Sequence, residues 1–85
     1  MTELALPTII LFYDKHNFET LKVFENVKSL LVDKAVFISL NMKRHPESFA
    51  TFKVKDLPSV VAFLNGNELW RVCGNISEEI ILQNF

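Results

Sequence analysis

The chain has 85 residues, a formal net charge of −1, two glycines, three prolines and a single cysteine, Cys73. That length holds one domain, residues 1–85, and an apolar half that includes eight phenylalanines is enough for a core without disulfide staples. Near-neutral charge gives no electrostatic case for nucleic acid or an anionic membrane surface, and one cysteine excludes an internal disulfide and the common cysteine-rich zinc sites.

Thr8-Ile9-Ile10-Leu11-Phe12-Tyr13 is a continuous apolar run with β-branched and aromatic members, as in a central strand buried on both faces. The polar stretch Asp14-Lys15-His16-Asn17 ends it. From Phe18 the period becomes helical: Phe18, Leu21, Val23 or Phe24, Val27, Leu30 and Leu31 recur, with Glu19, Lys22, Glu25 and Lys28 on a solvated face. Asn17 is placed to cap this helix, with Glu19 favourable in its first turn, and the helix is expected to end near Val32-Asp33-Lys34.

Ala35 to Leu40 reads as a second strand, so that strand, helix and strand form a right-handed crossover. Pro46 and Glu47 open a shorter helix capped near His45, with Phe49, Phe52 and Val54 on its apolar side. Ser59 to Leu64 is a third strand. Asn65-Gly66 is a type I′ hairpin signal, because both central residues must take positive φ, and it leads into an antiparallel strand over Asn67–Cys73. Alternation there sets Leu69, Arg71 and Cys73 on one face and Trp70 and Val72 on the other. Gly74 permits a bend, Ser77 caps a last helix whose first turn carries Glu78 and Glu79, and Ile80, Ile81 and Phe85 are expected to pack it onto the sheet. The order implies a four-stranded mixed sheet with helices on both faces.

Three stretches together carry a family likeness. Val54-Lys55-Asp56-Leu57-Pro58-Ser59-Val60-Val61-Ala62-Phe63-Leu64-Asn65-Gly66 resembles, nearly position by position, the thioredoxin-family segment built on a hydrophobic-proline pair, a hydrophobic strand and an Asn-Gly turn. Arg71-Val72-Cys73-Gly74-Asn75-Ile76-Ser77 resembles the segment before that family's last helix, and residues 12–20 align with its redox segment. The resemblance covers residues 7–85. It implies an α/β, thioredoxin-like β-α-β-α-β-β-α fold and a cis peptide bond before Pro58. It also implies that the backbone of Leu57 pairs with an extended substrate segment, a form of strand addition.

The departures from the family are equally informative. Where the family carries its two cysteines, separated by two residues at the first strand-to-helix junction, this chain has Asn17-Phe18-Glu19-Thr20. The buried acid of the family would fall at Leu11 and its partner lysine at Ser39. The thiols and the groups that would move protons for them are therefore all replaced. The family's extra N-terminal strand and helix have no counterpart either, which makes the chain a minimal version of the pattern.

The remaining chemistry-bearing residues have bland readings beside their functional ones. Cys73, just before the Gly74 bend and close to Leu57-Pro58 on the family pattern, reads first as a small buried hydrophobe, with single-thiol redox chemistry or redox sensing as the alternative. His16 and His45 have no convergent acid, so no metal site is expected, and no cofactor is implied. Thr20 and Ser59 lack an activating histidine. Trp70 reads as packing. The apolar group Phe18, Leu57, Pro58, Val72 or Cys73, and Ile76 would, if exposed together, mark a partner site.

These readings converge on an expectation: a protein that is not an enzyme, having lost oxidoreductase activity, and that binds a protein or extended peptide. The binding edge would comprise His16, Asn17 and Phe18, then Leu57 and Pro58, then Cys73, Gly74, Asn75 and Ile76, with Phe18 and Ile76 forming apolar pockets. The alternatives are a single-thiol protein using Cys73 and a structural subunit of a larger complex. A lone thiol fits a reducing, cytoplasmic compartment. Met1-Thr2-Glu3 carries an acid where a signal peptide is basic, and no segment approaches the ~20 apolar residues of a membrane span.

Overall fold

The computed structural model describes residues 6–85, so the reading of Met1-Thr2-Glu3 lies outside the described residues. The elements are β1 (Thr8–Tyr13), α1 (Phe18–Leu30), β2 (Val36–Asn41), α2 (Pro46–Thr51), β3 (Ser59–Leu64), β4 (Asn67–Cys73) and α3 (Glu78–Gln83). They build one four-stranded sheet in the order β2-β1-β3-β4. β1 runs parallel to β2 and antiparallel to β3, and β3 pairs antiparallel with β4. The expected mixed sheet is therefore present.

Each strand face feeds a different core, because successive side chains point to opposite sides. Ile9 and Leu11 of β1 join Val60, Ala62, Phe24, Val27 and Ile81 beneath α1 and α3. Ile10 and Phe12 join Phe49 and Val61 beneath α2. Phe12 is fully buried and meets Phe49 edge-on, with ring centroids 5.0 Å apart, and Phe52 at 5.5 Å. Helices thus cover both faces, although α2 is only six residues long.

Several local expectations shift. α1 closes at Leu30 rather than near Val32-Asp33-Lys34: the Leu31 N–H still reaches the Val27 carbonyl, and residues 31–34 then turn. Leu30 and Val32 are exposed there, so no packing holds a further turn. Asn17 occupies the cap position, but its side chain does not cap the helix; Oδ1 accepts from the Asp14 N–H at 2.9 Å. Ser77 does cap α3, its hydroxyl oxygen accepting from the Ile80 N–H at 3.2 Å. Within α3, Ile81 is fully buried and Ile80 only half-buried. Phe85 remains exposed yet places its ring against Trp70 and Phe37.

The hairpin holds a feature that strict alternation did not foresee. Asn65 and Gly66 both have positive φ, as the turn requires. The register then slips, Ala62 pairing with Trp70 but Phe63 with Glu68, which leaves Leu69 as a bulge. The bulge brings Glu68 to the same face as Arg71, and the two form an ion pair at 2.9 Å.

Arg71 also ends α2. Lys53 follows that helix at φ 55°, with its N–H on the Ala50 carbonyl and the Val54 N–H on the Phe49 carbonyl. This is a Schellman closure in which a lysine holds the position that usually favours glycine. The Arg71 guanidinium donates to the Phe52 carbonyl at 2.8 Å and the Lys53 carbonyl at 3.2 Å, satisfying orphan acceptors of the helix end. The hydrogen bond from Arg71 holds the Glu68 carboxyl below its ordinary range, and the same bond raises the guanidinium.

Replacing Arg71 by alanine is expected to cost about 1–2 kcal/mol in urea unfolding, because two helix-end carbonyls lose a charged donor at a partly exposed position. Glu68→Gln is expected to cost less than ~0.5 kcal/mol, since an exposed pair contributes little and the carbonyl contacts remain. Its small effect is confined to pH above the lowered Glu68 value, because protonating the wild-type carboxyl removes the same charge. Equal losses for the two variants would show that the ion pair, not the helix closure, is what Arg71 stabilises.

Candidate functional site

The β1–α1 junction is a self-satisfied loop. The Asn17 N–H donates to the Asp14 carbonyl at 3.1 Å, the Asp14 N–H to Asn17 Oδ1, and the His16 N–H to Asp14 Oδ1 at 2.8 Å. Phe18, Glu19 and Thr20 form the first turn of α1. Phe18 projects into solvent, 61% exposed, with the Lys22 ammonium 5.2 Å from its ring centroid. Asn17 offers an amide and Thr20 a hydroxyl, and neither can exchange with a disulfide.

Beside this junction lie two further segments. The Leu57–Pro58 peptide bond is cis. The Pro58 carbonyl accepts from the Gly74 N–H at 3.1 Å, which ties the start of β3 to the bend after β4. Gly74 has φ +85°, a conformation that a side chain would strain. Ser59 is buried, and its hydroxyl donates to the Asp56 carbonyl. Leu57 is half-buried against the α2-side core and takes part in none of the backbone hydrogen bonds among the described residues.

The expected edge is brought together only in part. Phe18, Gly74 and Asn75 are exposed, but Pro58 is buried and Ile76 is a member of the α1–α3 core. Ile76 therefore fills no open pocket. Together with Asn75 and Ser77 it closes a shallow cleft of about 320 Å³ against Glu19, Thr20 and Val23 of α1. Val72 also packs on that core. No continuous apolar patch of Phe18, Pro58, Val72 and Ile76 exists, because three of the four point inward.

Cys73 departs in the opposite direction. Instead of lying in the core it is exposed, on the α2-side face with Arg71 and directly opposite Ser59 in the sheet register. Its parity along β4 sets it on the α2 side of the sheet, opposite to Trp70 and Val72, and six-residue α2 leaves it uncovered.

His16 lines a larger cleft of about 570 Å³ with Asp14, Lys15, Asn41, Met42, Lys43 and Pro46. Since β2 and β3 flank β1 on opposite sides, this cleft is on the far side of the β1–α1 loop from Leu57–Pro58. Met42 and Pro46 carry no motif that would have marked them. The Leu11 and Ser39 positions, where the resemblance would place an acid and its lysine, are register partners across β1 and β2, with Leu11 fully buried in an apolar core. Among the described residues no three histidine, cysteine or acidic side chains converge to hold a metal ion, and no helix is long and apolar enough to cross a membrane.

This sheet order, with a cis proline opening β3 beside the first helix N-terminus, is a thioredoxin-like fold. Among solved structures, a malarial protein superposes with a TM-score of 0.85 at 13% identity, covering 93% of this chain and 92% of that one. Thioredoxin-2 of the malaria parasite, described as a component of its protein secretion machinery, superposes at 0.83 with 15% identity, covering 98% and 85%. No protein-family model matches the sequence, and no curated protein matches it significantly.

The exposure of Cys73 has a direct consequence. Alkylation of the native protein by iodoacetamide is expected to proceed within a few-fold of its rate in urea, because no packing has to open first. Protection of a hundredfold or more in the native state would return Cys73 to the core.

Proposed function

We propose that this chain is a redox-inactive thioredoxin-like protein that binds a protein or extended peptide along the edge around Leu57-Pro58. The observation that carries the reading is the backbone of Leu57, whose N–H and C=O have no partner among the described residues, at the start of a sheet strand. Unpaired backbone groups in that position accept an added strand, with main-chain hydrogen bonds supplying affinity. Phe18 supplies an exposed aromatic anchor on the neighbouring helix turn. Asn17, Gly74 and Asn75 line the approach, and His16 faces its own cleft beyond the loop.

The replacement of both thiols supports the absence of dithiol exchange. With Asn17 and Thr20 at the junction there is no nucleophilic sulfur at the helix N-terminus and no second sulfur to resolve a mixed disulfide. The apolar burial of Leu11 removes the remaining means of moving a proton there. Likeness to a thioredoxin described as part of a secretion machinery fits a domain of this shape serving by contact with other proteins.

A second reading is favoured by one observation, the exposure of Cys73 opposite Ser59 and next in chain to Gly74, which bonds Pro58. A single thiol there would allow redox sensing at the same edge.

Insulin reduction by dithiothreitol is expected to run at its uncatalysed rate with the wild-type protein and with Cys73→Ser alike. Twelve-residue peptides selected from a displayed library are expected to shift the amide resonances of residues 16–18, 57 and 73–75. Phe18→Ala is expected to weaken those peptides about tenfold, or ~1.4 kcal/mol, without lowering the urea midpoint. Selected peptides that shift only residues remote from this edge would overturn the binding reading. Catalysed insulin reduction that Cys73→Ser abolishes would replace it with the single-thiol one.

A further inference from the structure

The sheet has two edges, and only one carries the devices that keep an edge from pairing with another chain. β4 has the Leu69 bulge, the Glu68–Arg71 ion pair and the Arg71 tie to the end of α2. Bulges and charges of this kind are how sheet proteins blunt an edge. β2 has neither. Val36-Phe37-Ile38-Ser39-Leu40-Asn41 contains no charge and no proline, and it pairs with β1 without a register shift. Among the described residues no strand lies on its outer side.

The face of the same strand is also uncovered. The register Ile10↔Ile38 and Phe12↔Leu40 sets Val36, Ile38 and Leu40 on the α2 side of the sheet. Six-residue α2 lets the core reach only to Leu40, leaving Val36 47% and Ile38 39% exposed. Met42, the next residue of the same parity, is 46% exposed. An apolar row therefore runs alongside an open line of backbone donors and acceptors.

We propose that β2 is a homodimer interface, pairing antiparallel with β2 of a second copy to join the two sheets edge to edge. The strand is complementary to itself, which is the reason for choosing a second copy over a foreign strand. A two-fold axis normal to the sheet must set residues of the same face opposite one another. With Ile38 opposite its own copy, Val36 faces Leu40, and Phe37 faces Ser39. Just beyond the strand ends the same register brings Asp33 of each protomer towards Lys43 of the other, while the stem of Lys34 lies towards Met42. Apolar residues meet apolar residues along the row, and opposite charges meet at both ends. Among the described residues neither Asp33 nor Lys43 has an ion-pair partner within its own chain. A six-residue edge buries less than the ~1,600 Å² of a standard interface, so the dimer is weak and concentration-dependent.

Sedimentation equilibrium of the full chain, in reductant so that Cys73 cannot cross-link, tests this. The mean mass is expected to rise from 9.8 kDa towards twice that value across the micromolar to millimolar range. Ile38→Lys, at an exposed position, is expected to hold the mass at the monomer value throughout while leaving the circular dichroism and the urea midpoint near wild type. Leu69→Lys, on the opposite edge, is expected to associate as the wild type does. Asp33→Lys is expected to weaken association several-fold, and combining it with Lys43→Asp to restore it. A wild-type protein that stays monomeric, or an Ile38→Lys protein that associates equally well, overturns the interface. Failure of the paired charge exchange to restore association overturns the register.

Discussion

A strand buried on both faces is the constraint on which this structure depends. β1 pairs with β2 on one side and β3 on the other, and none of Ile9, Ile10, Leu11 and Phe12 is left in water. In an 85-residue chain, two cores must then share one strand, so each core is thin. Ile9 and Leu11 require helices on one face, and α1 and α3 supply them. Ile10 and Phe12 require cover on the other, where α2 is short and the phenylalanines fill the space instead. Phe12, Phe49, Phe52 and Phe63 meet ring against ring, Phe52 and Phe63 at 5.1 Å. Large aromatic side chains stabilise such a layer at little cost in chain length.

The same economy explains why Arg71 matters beyond its ion pair. A six-residue helix has more unsatisfied end groups than internal hydrogen bonds, so its closure weighs heavily in its stability. Here the closure passes through Lys53 in the left-handed region and is completed by a side chain from the edge strand. The bulge at Leu69, which brings Glu68 beside Arg71, thus serves two ends at once. It orients the guanidinium towards the helix, and it interrupts the outer edge of β4. Among the described residues no comparable link reaches β2, where the short helix leaves both the edge and part of the face open.

Most of the architecture was legible because its signals are strong and local. β1, β3 and β4 lie where the apolar runs and the Asn65-Gly66 turn place them, and Ser77 caps the helix that it was expected to cap. The site was less legible because it depends on parity and direction, which a short sequence window does not fix. Alternation had already set Cys73 on the face of Arg71, yet the general tendency of free cysteine to be buried outweighed it. Parity fixed the face, and the shortness of α2 left that end of it open. Ile76 sits in a bend with no period at all, and only the approach of α3 to α1 shows that it turns inward. Asn17 was identified as a cap by its position. However, its side-chain oxygen accepts from the Asp14 N–H instead, so the turn at Asp14 competes successfully with the helix end.

This placement bears on what a thioredoxin-like scaffold does without its thiols. In a dithiol site the helix N-terminus must stay open, so that a sulfur there is both ionised and reachable. In this chain no sulfur stands there, and the loop bonds to itself through Asp14 and Asn17. What stays open nearby is the backbone of Leu57, while the Pro58 carbonyl is taken up by Gly74. An unmet backbone donor and acceptor is a cost unless water or a partner meets it, and the proposed binding role would supply the partner. Strand addition meets both groups at once, and the exposed ring of Phe18 on the adjoining helix turn gives such a strand something apolar to rest on.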